Sequence, residues 1–592
     1  MKESVQLAKR LLQPAASNRI GFFLLAGIVG VLVALATLVL IKMILLFQWL
    51  GYGSASEERF AAIASALPAW RVIVVPALGG LLVGVLLMFM QERRYHGIAD
   101  VMEASALNSA RMSARSGIVA AVAASVSLGV GAPLGREGPA VHIGASLSSV
   151  LADWLNLDRN QSLALLGCGA AAAVTMSFNA PIAAVIFALE VIVGYYTLRV
   201  FAPVVVAAML AFVVRDAAFG NTVQFDLPEF DLVSLWELVP FALLGVCGAL
   251  VARALIVLSG TTANVWARLS APIWIRPAVA GLLIGVVAVQ LPMVLSIGYE
   301  GTLQALRGEL ESSLLIQLLV AKLLLVGLAI GSGFAGGVFG PAIFLGALLG
   351  GAFWLCVSWI CVTWLGLPLA EQGVYAVVGM AAVASALLGA PISTILIVFE
   401  LTHNYSLVVG VMMAAAVASA TMQQGKHSSF FRWQLARRHV NITAGRDISL
   451  LMTHQVKPLI SDRYTTHSAT ATLGELESHM GTRRQRLAML VDDNGGFVRS
   501  VALSELVSYA IENGLDYTVA SVGQDADYSV TETTNIVAAL QLMAERQLEY
   551  VPVVDKQDDE LTRLVGVVYK SDLLAEHYDV VKRAREEEFG IT

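Results

Sequence analysis

Gly135-Arg136-Glu137-Gly138-Pro139 returns 202 residues later as Gly337-Val338-Phe339-Gly340-Pro341. A second pair follows in the same order. Asn179-Ala-Pro-Ile-Ala-Ala-Val-Ile-Phe-Ala-Leu-Glu190 matches Gly389-Ala-Pro-Ile-Ser-Thr-Ile-Leu-Ile-Val-Phe-Glu400, so Pro181 answers to Pro391 and Glu190 to Glu400. Two ordered motif pairs divide residues 20–440 into related halves, about 20–215 and 236–425, each interrupted by Gly and Pro at corresponding places. Inside a bilayer such breaks are tolerated only where protein or a water-filled cavity satisfies the freed backbone groups. Repeat-built transport proteins carry them near the middle of the membrane, with the binding site between the halves.

Composition agrees with a membrane body. The 592 residues are 57% hydrophobic and 14% charged, where a soluble protein has about a quarter of its residues charged. The charges are unevenly placed: residues 441–592 hold 14 Lys/Arg and 24 Asp/Glu, against 24 and 20 in residues 1–440. A short basic segment over 1–19, expected in the cytosol, therefore precedes a membrane domain over 20–440, and an acidic soluble domain follows over 441–592. Apolar runs of spanning length include Ile20–Leu50, Leu163–Val193, Leu314–Ile330, Tyr375–Phe399 and Leu407–Met422. Cys168, Cys247, Cys356 and Cys361 all fall in apolar stretches and read as buried small hydrophobes. The sequence has no basic stripe interleaved with aromatics, which argues against nucleic acid as a partner. It also lacks the nucleophile–base pattern or His-Glu-x-x-His motif of an enzyme.

A carboxylate in an apolar region must be paired, protonated or functional. Glu137 is the leading candidate, because its glycine neighbours let backbone N–H groups approach an anion and the following helix start adds a positive dipole end. Such a cradle accepts either a small anion or a competing carboxylate side chain. Gly331-Ser-Gly333-Phe-Ala-Gly336 has the form Gly-x-Gly-x-x-Gly, but a long apolar run precedes it instead of a strand, so a dinucleotide site is not implied. The soluble part repeats too, about 454–515 and 519–580: Met489-Leu-Val-Asp492 corresponds to Pro552-Val-Val-Asp555, and Ser504-Glu-Leu506 to Ser571-Asp-Leu573.

These residues resemble the CLC chloride channel and transporter family, and the C-terminal repeats resemble a tandem pair of CBS domains. The resemblance implies an all-α polytopic membrane domain of two inverted repeats, followed by a soluble α+β CBS pair, assembled as a homodimer with one pore per subunit. It places Glu137 as the gating and proton-carrying glutamate, and Val338 and Phe339 as backbone donors to the central anion, with Gly135, Arg136 and Gly138 around it. It also exposes departures. Tyr95-His-Gly-Ile-Ala99 puts His96 where a serine hydroxyl would contact the anion, and Phe431 stands where a tyrosine would close the inner side. Val191 occupies the position of the inner proton-accepting glutamate, which leaves Glu190 as an alternative relay or a structural residue. His142 reads as a packing residue. In the CBS pair Asp572 lies where a ribose-binding aspartate would be, next to Tyr569, so an adenine nucleotide and a ligand-free dimerisation module are both open readings. The expected activity is transport of chloride or a related anion across a bacterial inner membrane, with the CBS domains cytosolic. Chloride/proton exchange is the favoured form, a passive channel or uncoupled carrier the alternative, and a CBS-regulated metal-ion transporter a remote one.

Overall fold

The computed structural model describes residues 18–440 and 454–589, apart from 57, 108–109, 221–224, 226–229, 231–232, 426, 439, 484–485, 493–495, 514, 520–521, 526–527 and 558–560. Most of the basic segment expected over 1–19 lies outside the described residues. Two compact units result, Met1–Val440 and Asn441–Thr592.

The first half of the membrane unit runs through α1 (Arg19–Tyr52), α2 (Phe60–Ser65), α3 (Ala69–Leu87), α4 (Ile98–Ala106), α5 (Ala114–Gly129), α6 (Glu137–Leu155), α7 (Arg159–Phe178), α8 (Pro181–Phe187) and α9 (Leu198–Phe219). A π-helical turn, Ala188–Val193, continues α8. The second half holds α10 (Leu238–Arg268), α11 (Arg276–Gln290), α12 (Tyr299–Leu306), α13 (Ser312–Ser332), α14 (Phe339–Thr363), α15 (Gln372–Leu388), α16 (Pro391–Thr402) and α17 (Val408–Gln423), with α18 (Phe430–Ala436) after it. Among the described residues seven helices are long and apolar enough to cross a membrane.

Two of the expected single runs are each two helices. Leu163–Val193 breaks at Asn179, which is left-handed (φ 59°), and Tyr375–Phe399 breaks at Gly389 (φ 70°). Pro181 and Pro391 then open α8 and α16 at the first helical position, where no backbone donor is needed. Helices α5 and α6 do not coincide with any expected apolar run, because they are rich in Ser, Gly and Ala. Their polar groups are satisfied inside the protein: Ser146 and Ser148 hydroxyls donate to the carbonyls of His142 and Gly144, each at 2.8 Å. The cysteines divide. Cys168 and Cys361 are buried as expected, but Cys247 is half-buried and Cys356 exposed, on helix faces whose apolar side chains point outward, as suits lipid.

Glycine spacing sets how the halves meet. Pro76, Gly80 and Gly84 on α3 answer to Pro277, Gly281 and Gly285 on α11. A Cβ on Gly80 would collide with the Pro277 carbonyl, and a Cβ on Gly281 with the Pro76 carbonyl. The reciprocity is that of a two-fold axis, and small residues permit this backbone contact. The same device packs helices within each half: Gly144 lies against Gly169 where α6 meets α7, and Gly346 against Gly379 where α14 meets α15. The two halves form an inverted pair.

The soluble unit alternates strands and helices: β1 (Thr465–Ser468), α19 (Leu473–Arg483), β2 (Leu487–Val491), β3 (Phe497–Ala502), α20 (Leu503–Asn513), β4 (Gln524–Asp525), α21 (Ile536–Arg546), β5 (Tyr550–Gln557), β6 (Leu561–Tyr569) and α22 (Lys570–Phe589). One sheet has the order β1-β2-β3-β4, and β5 pairs with β6. The antiparallel register shifts between Leu490 and Val491 in the first repeat and between Val553 and Val554 in the second, the same place in each. Met489, Tyr550, Val554 and Val567 share an apolar core that joins the repeats.

Candidate functional site

The two glycine-rich motifs meet. Gly135 N donates to Gly337 O at 2.8 Å and Gly337 N to Gly135 O at 2.6 Å, an isolated antiparallel bridge. Directly after it α6 starts at Glu137 and α14 at Phe339, so two helix N-termini, with N–H groups that have no intrahelical acceptor, open at one crossing. Only glycine allows this approach: a Cβ on Gly337 would stand 2.8 Å from Gly138 N. Glu137 is buried. Its Oε2 accepts from Gly340 N at 3.3 Å, in space that a Cβ on Gly135 would fill. A carboxylate thus occupies the backbone cradle of the opposite half.

The expected anion-site residues divide by role. The N–H of Gly135 is taken up by the bridge, and this glycine contributes at the site by leaving room for the Glu137 carboxylate. Gly138 likewise provides clearance, with its would-be Cβ 3.0 Å from Gly337 Cα. The Arg136 guanidinium donates to Ser177 O at 3.1 Å and lies over the Tyr299 ring at 5.8 Å. Val338 and Phe339 stand at the start of α14, with the Phe339 ring 4.5 Å from that of Phe178. Gly340 donates its backbone N–H to Glu137, and sequence reasoning did not single it out although it answers to Gly138 in the repeat. A cavity beside Glu137 is walled by Phe178, Ile297, Tyr299, Gly340 and Ile343.

His96 is buried at the start of α4, its Nδ1 3.2 Å from Asp100 Oδ1 and its ring 6.0 Å from that of His142. Asp100 gathers charge: it accepts from Gly97 N at 2.7 Å, Arg94 at 2.7 Å and Arg438 at 2.9 Å. Helix α4 packs on α6 and on α18, and α18 carries the buried Phe431. His96 is therefore oriented by a carboxylate already surrounded by cations. Asp100 was not among the residues expected at the site.

Glu190 and Glu400 form a reciprocal clamp. Glu190 accepts from Ile392 N at 3.2 Å and Ser393 N at 2.8 Å, at the start of α16. Glu400 accepts from Ile182 N at 3.1 Å and Ala183 N at 2.7 Å, at the start of α8. Each carboxylate holds the first N–H groups of the other half's helix, an arrangement that suits a structural role for Glu190. Glu190→Ala and Glu400→Ala are each expected to lower stability by about 1–2 kcal/mol, the range for a lost helix cap, measured as denaturation midpoints in detergent. Fully buried Glu237 is likewise structural, accepting from Ala370 N at 3.1 Å and Tyr375 Oη at 3.3 Å.

In the soluble unit Arg463 pairs with Asp572 at 2.8 Å, its guanidinium lies 5.1 Å over the Tyr569 ring, and Tyr569 Oη donates to Arg463 O at 2.6 Å. Burial raises the Tyr569 phenol above its ordinary range, with Arg463 lowering it and Asp572 raising it further, so the hydroxyl remains a donor near neutral pH. The carboxylate that would take ribose hydroxyls is engaged by Arg463 in this structure.

The profile of a family described as voltage gated chloride channel matches residues 79–423, and that of the CBS domain matches 520–579. A ClcB-like chloride channel protein of Ralstonia nicotianae is 32% identical over 422 residues, covering 70% of this chain and 96% of its own. Chloride channel protein CLC-e of Arabidopsis thaliana is 27% identical over 583 residues, covering 87% and 81%. Among solved structures, a slow cyanobacterial Cl-/H+ antiporter superposes with a TM-score of 0.61 at 21% identity, over 70% of this chain and 97% of that one. A eukaryotic CLC transporter does so with 0.59 at 17% identity, over 95% and 98%.

Proposed function

This chain belongs to the voltage-gated chloride channel family, and we propose that it exchanges chloride for protons across the membrane, with Glu137 both blocking the anion path and carrying the proton. The observation that carries this reading is the Glu137 carboxylate on Gly340 N, at the crossing of two helix N-termini. A charged carboxylate and a chloride compete for the same N–H groups, and protonation removes the charge that holds the side chain there. Proton uptake and anion entry are thereby linked through one position.

Val191 favours a second reading. A valine at the inner position relays no proton, so an uncoupled carrier or passive channel remains the competing mechanism, and exchange requires a route through water. The deciding measurement is proton movement into liposomes loaded with chloride, under an imposed chloride gradient and a potassium/valinomycin clamp. Uphill proton movement driven by chloride is expected; chloride flux with no uphill protons would establish the uncoupled mechanism.

We further infer a homodimer in a bacterial inner membrane with the CBS pair in the cytosol. Exposed Ile182 and Ile392, at equivalent places beside the Glu190–Glu400 clamp, support a two-fold apolar interface. Arg432, Arg437 and Arg438 after the last apolar helix support the cytosolic side. For the CBS pair we favour a module that holds no nucleotide while Arg463 stays on Asp572.

A further inference from the structure

Among the described residues of the membrane unit Lys322 is a fully buried cation that the gating mechanism leaves unused. It sits in the middle of α13. Its Nζ donates to Ser296 O at 2.7 Å, Val294 O at 2.9 Å and Ile297 O at 3.5 Å, and lies 5.2 Å from the centre of the Phe344 ring. Three acceptors suit an ammonium, which has three donors and no lone pair. All three are backbone carbonyls. Among the described residues no carboxylate lies within ion-pair distance of it, so its charge is met by dipoles and a ring face alone.

Ile297, in the segment it grips, walls the cavity beside Glu137. Ser296 is left-handed without being glycine (φ 50°), and Gly298 is left-handed too (φ 89°). A Cβ on Gly298 would meet the Phe344 ring at 2.6 Å and Lys322 Nζ at 3.4 Å. The same segment is tied to the first half by Ser296 N donating to Gly131 O at 3.0 Å. Ile297, whose carbonyl faces Lys322, presents its side chain to Gly340: its Cγ2 would be 2.9 Å from a Cβ there. Gly340 is the donor to Glu137. From lysine to gate there is one peptide segment.

The repeat sharpens the point. At the offset that pairs Glu137 with Phe339, Lys322 pairs with Ala120. The gating acid belongs to one half and the buried cation to the other, and both converge on one crossing. A buried charge is costly in a membrane, and helix–loop packing alone needs none.

We propose that Lys322 is a fixed positive charge behind the anion path, which lowers the energy of an anion at the Gly340 cradle while positioning Ser296–Gly298 as its wall. The inference rests on the anion-transport reading above. Its test is chloride binding by titration calorimetry to the full chain in detergent, in a Glu137→Gln background so that no tethered carboxylate competes. Adding Lys322→Gln, which keeps N–H donors but no charge, or Lys322→Met, which keeps neither, is expected to weaken chloride binding by about tenfold, the scale of a unit charge acting over roughly 10 Å at an effective dielectric of about 20. Lys322→Arg is expected to stay within about twofold. Parental affinity in the Gln variant overturns the proposal and leaves the lysine a loop anchor; the Gln and Arg variants decide this even where the Met variant does not fold. Absence of chloride binding in the Glu137→Gln parent itself would overturn the anion-transport reading as well, so the two failures are distinct.

Discussion

Glu137→Gln is expected to abolish uphill proton movement while chloride flux continues. Glutamine fills nearly the same volume and its carbonyl can still accept from Gly340 N, so the crossing of α6 and α14 stays intact. What disappears is the charge. The attraction between a carboxylate and a helix N-terminus, up to about 2 kcal/mol in partly buried sites, no longer holds the side chain in the cradle, and chloride meets a weaker competitor. The amide also carries no proton at any accessible pH. Coupled proton flux should fall by about 100-fold or more, the scale lost when a positioned proton-transfer group is removed. If Glu137 is the gate as proposed, chloride turnover in the unaltered protein should rise on acidification, whereas turnover in the Gln variant should be flat with pH. Paired chloride-electrode and pH-electrode records from liposomes read all of this, and persistent uphill proton uptake in Glu137→Gln would remove this residue from the mechanism.

Gly281→Val is expected to have a large structural effect. A side chain at 281 runs into the Pro76 carbonyl across the α3–α11 contact, where backbone faces backbone and no flexible side chain can give way. Gly80→Val runs into the Pro277 carbonyl by the same geometry. Overpacked cores ordinarily lose about 1–3 kcal/mol, and here relief requires a whole helix to move, so the loss is expected to exceed that range. The readout is recovery of a monodisperse peak on gel filtration in mild detergent, expected to be lost in both variants. Gly366→Asn is the control: its φ of 62° suits asparagine, and nothing stands within 4 Å of an added Cβ. A monodisperse, transport-active Gly281→Val protein would mean that the halves are not held by this contact.

Much of the site was legible because its parts are local. Glycines beside Glu137, a proline opening each short helix and a glutamate closing it are patterns of neighbouring residues, and their recurrence about 200 residues on needs only the sequence. The soluble repeats were readable for the same reason, whereas the bulge at equivalent places in their strand pairs came only from the structure. Helices α5 and α6 escaped because hydropathy registers contact with lipid, whereas their Ser, Gly and Ala faces contact other helices. The glycines of α3 and α11 also repeat in the sequence, yet single small residues gain meaning only when a carbonyl of the other half stands opposite.

The sequence by itself determined that two related halves exist, that a carboxylate sits among glycines at a helix start, and that an acidic soluble unit follows. The tertiary structure decided which groups these residues face. Gly135 bridges to Gly337, Gly340 donates to Glu137, and Glu190 clamps a helix start 202 residues away. Asp100 meets Arg438 across 338 residues, and Lys322 finds carbonyls 25 to 28 residues before it. Hydrogen-bond partners and charge compensation depend on distances between atoms far apart in the chain, which composition and spacing do not encode.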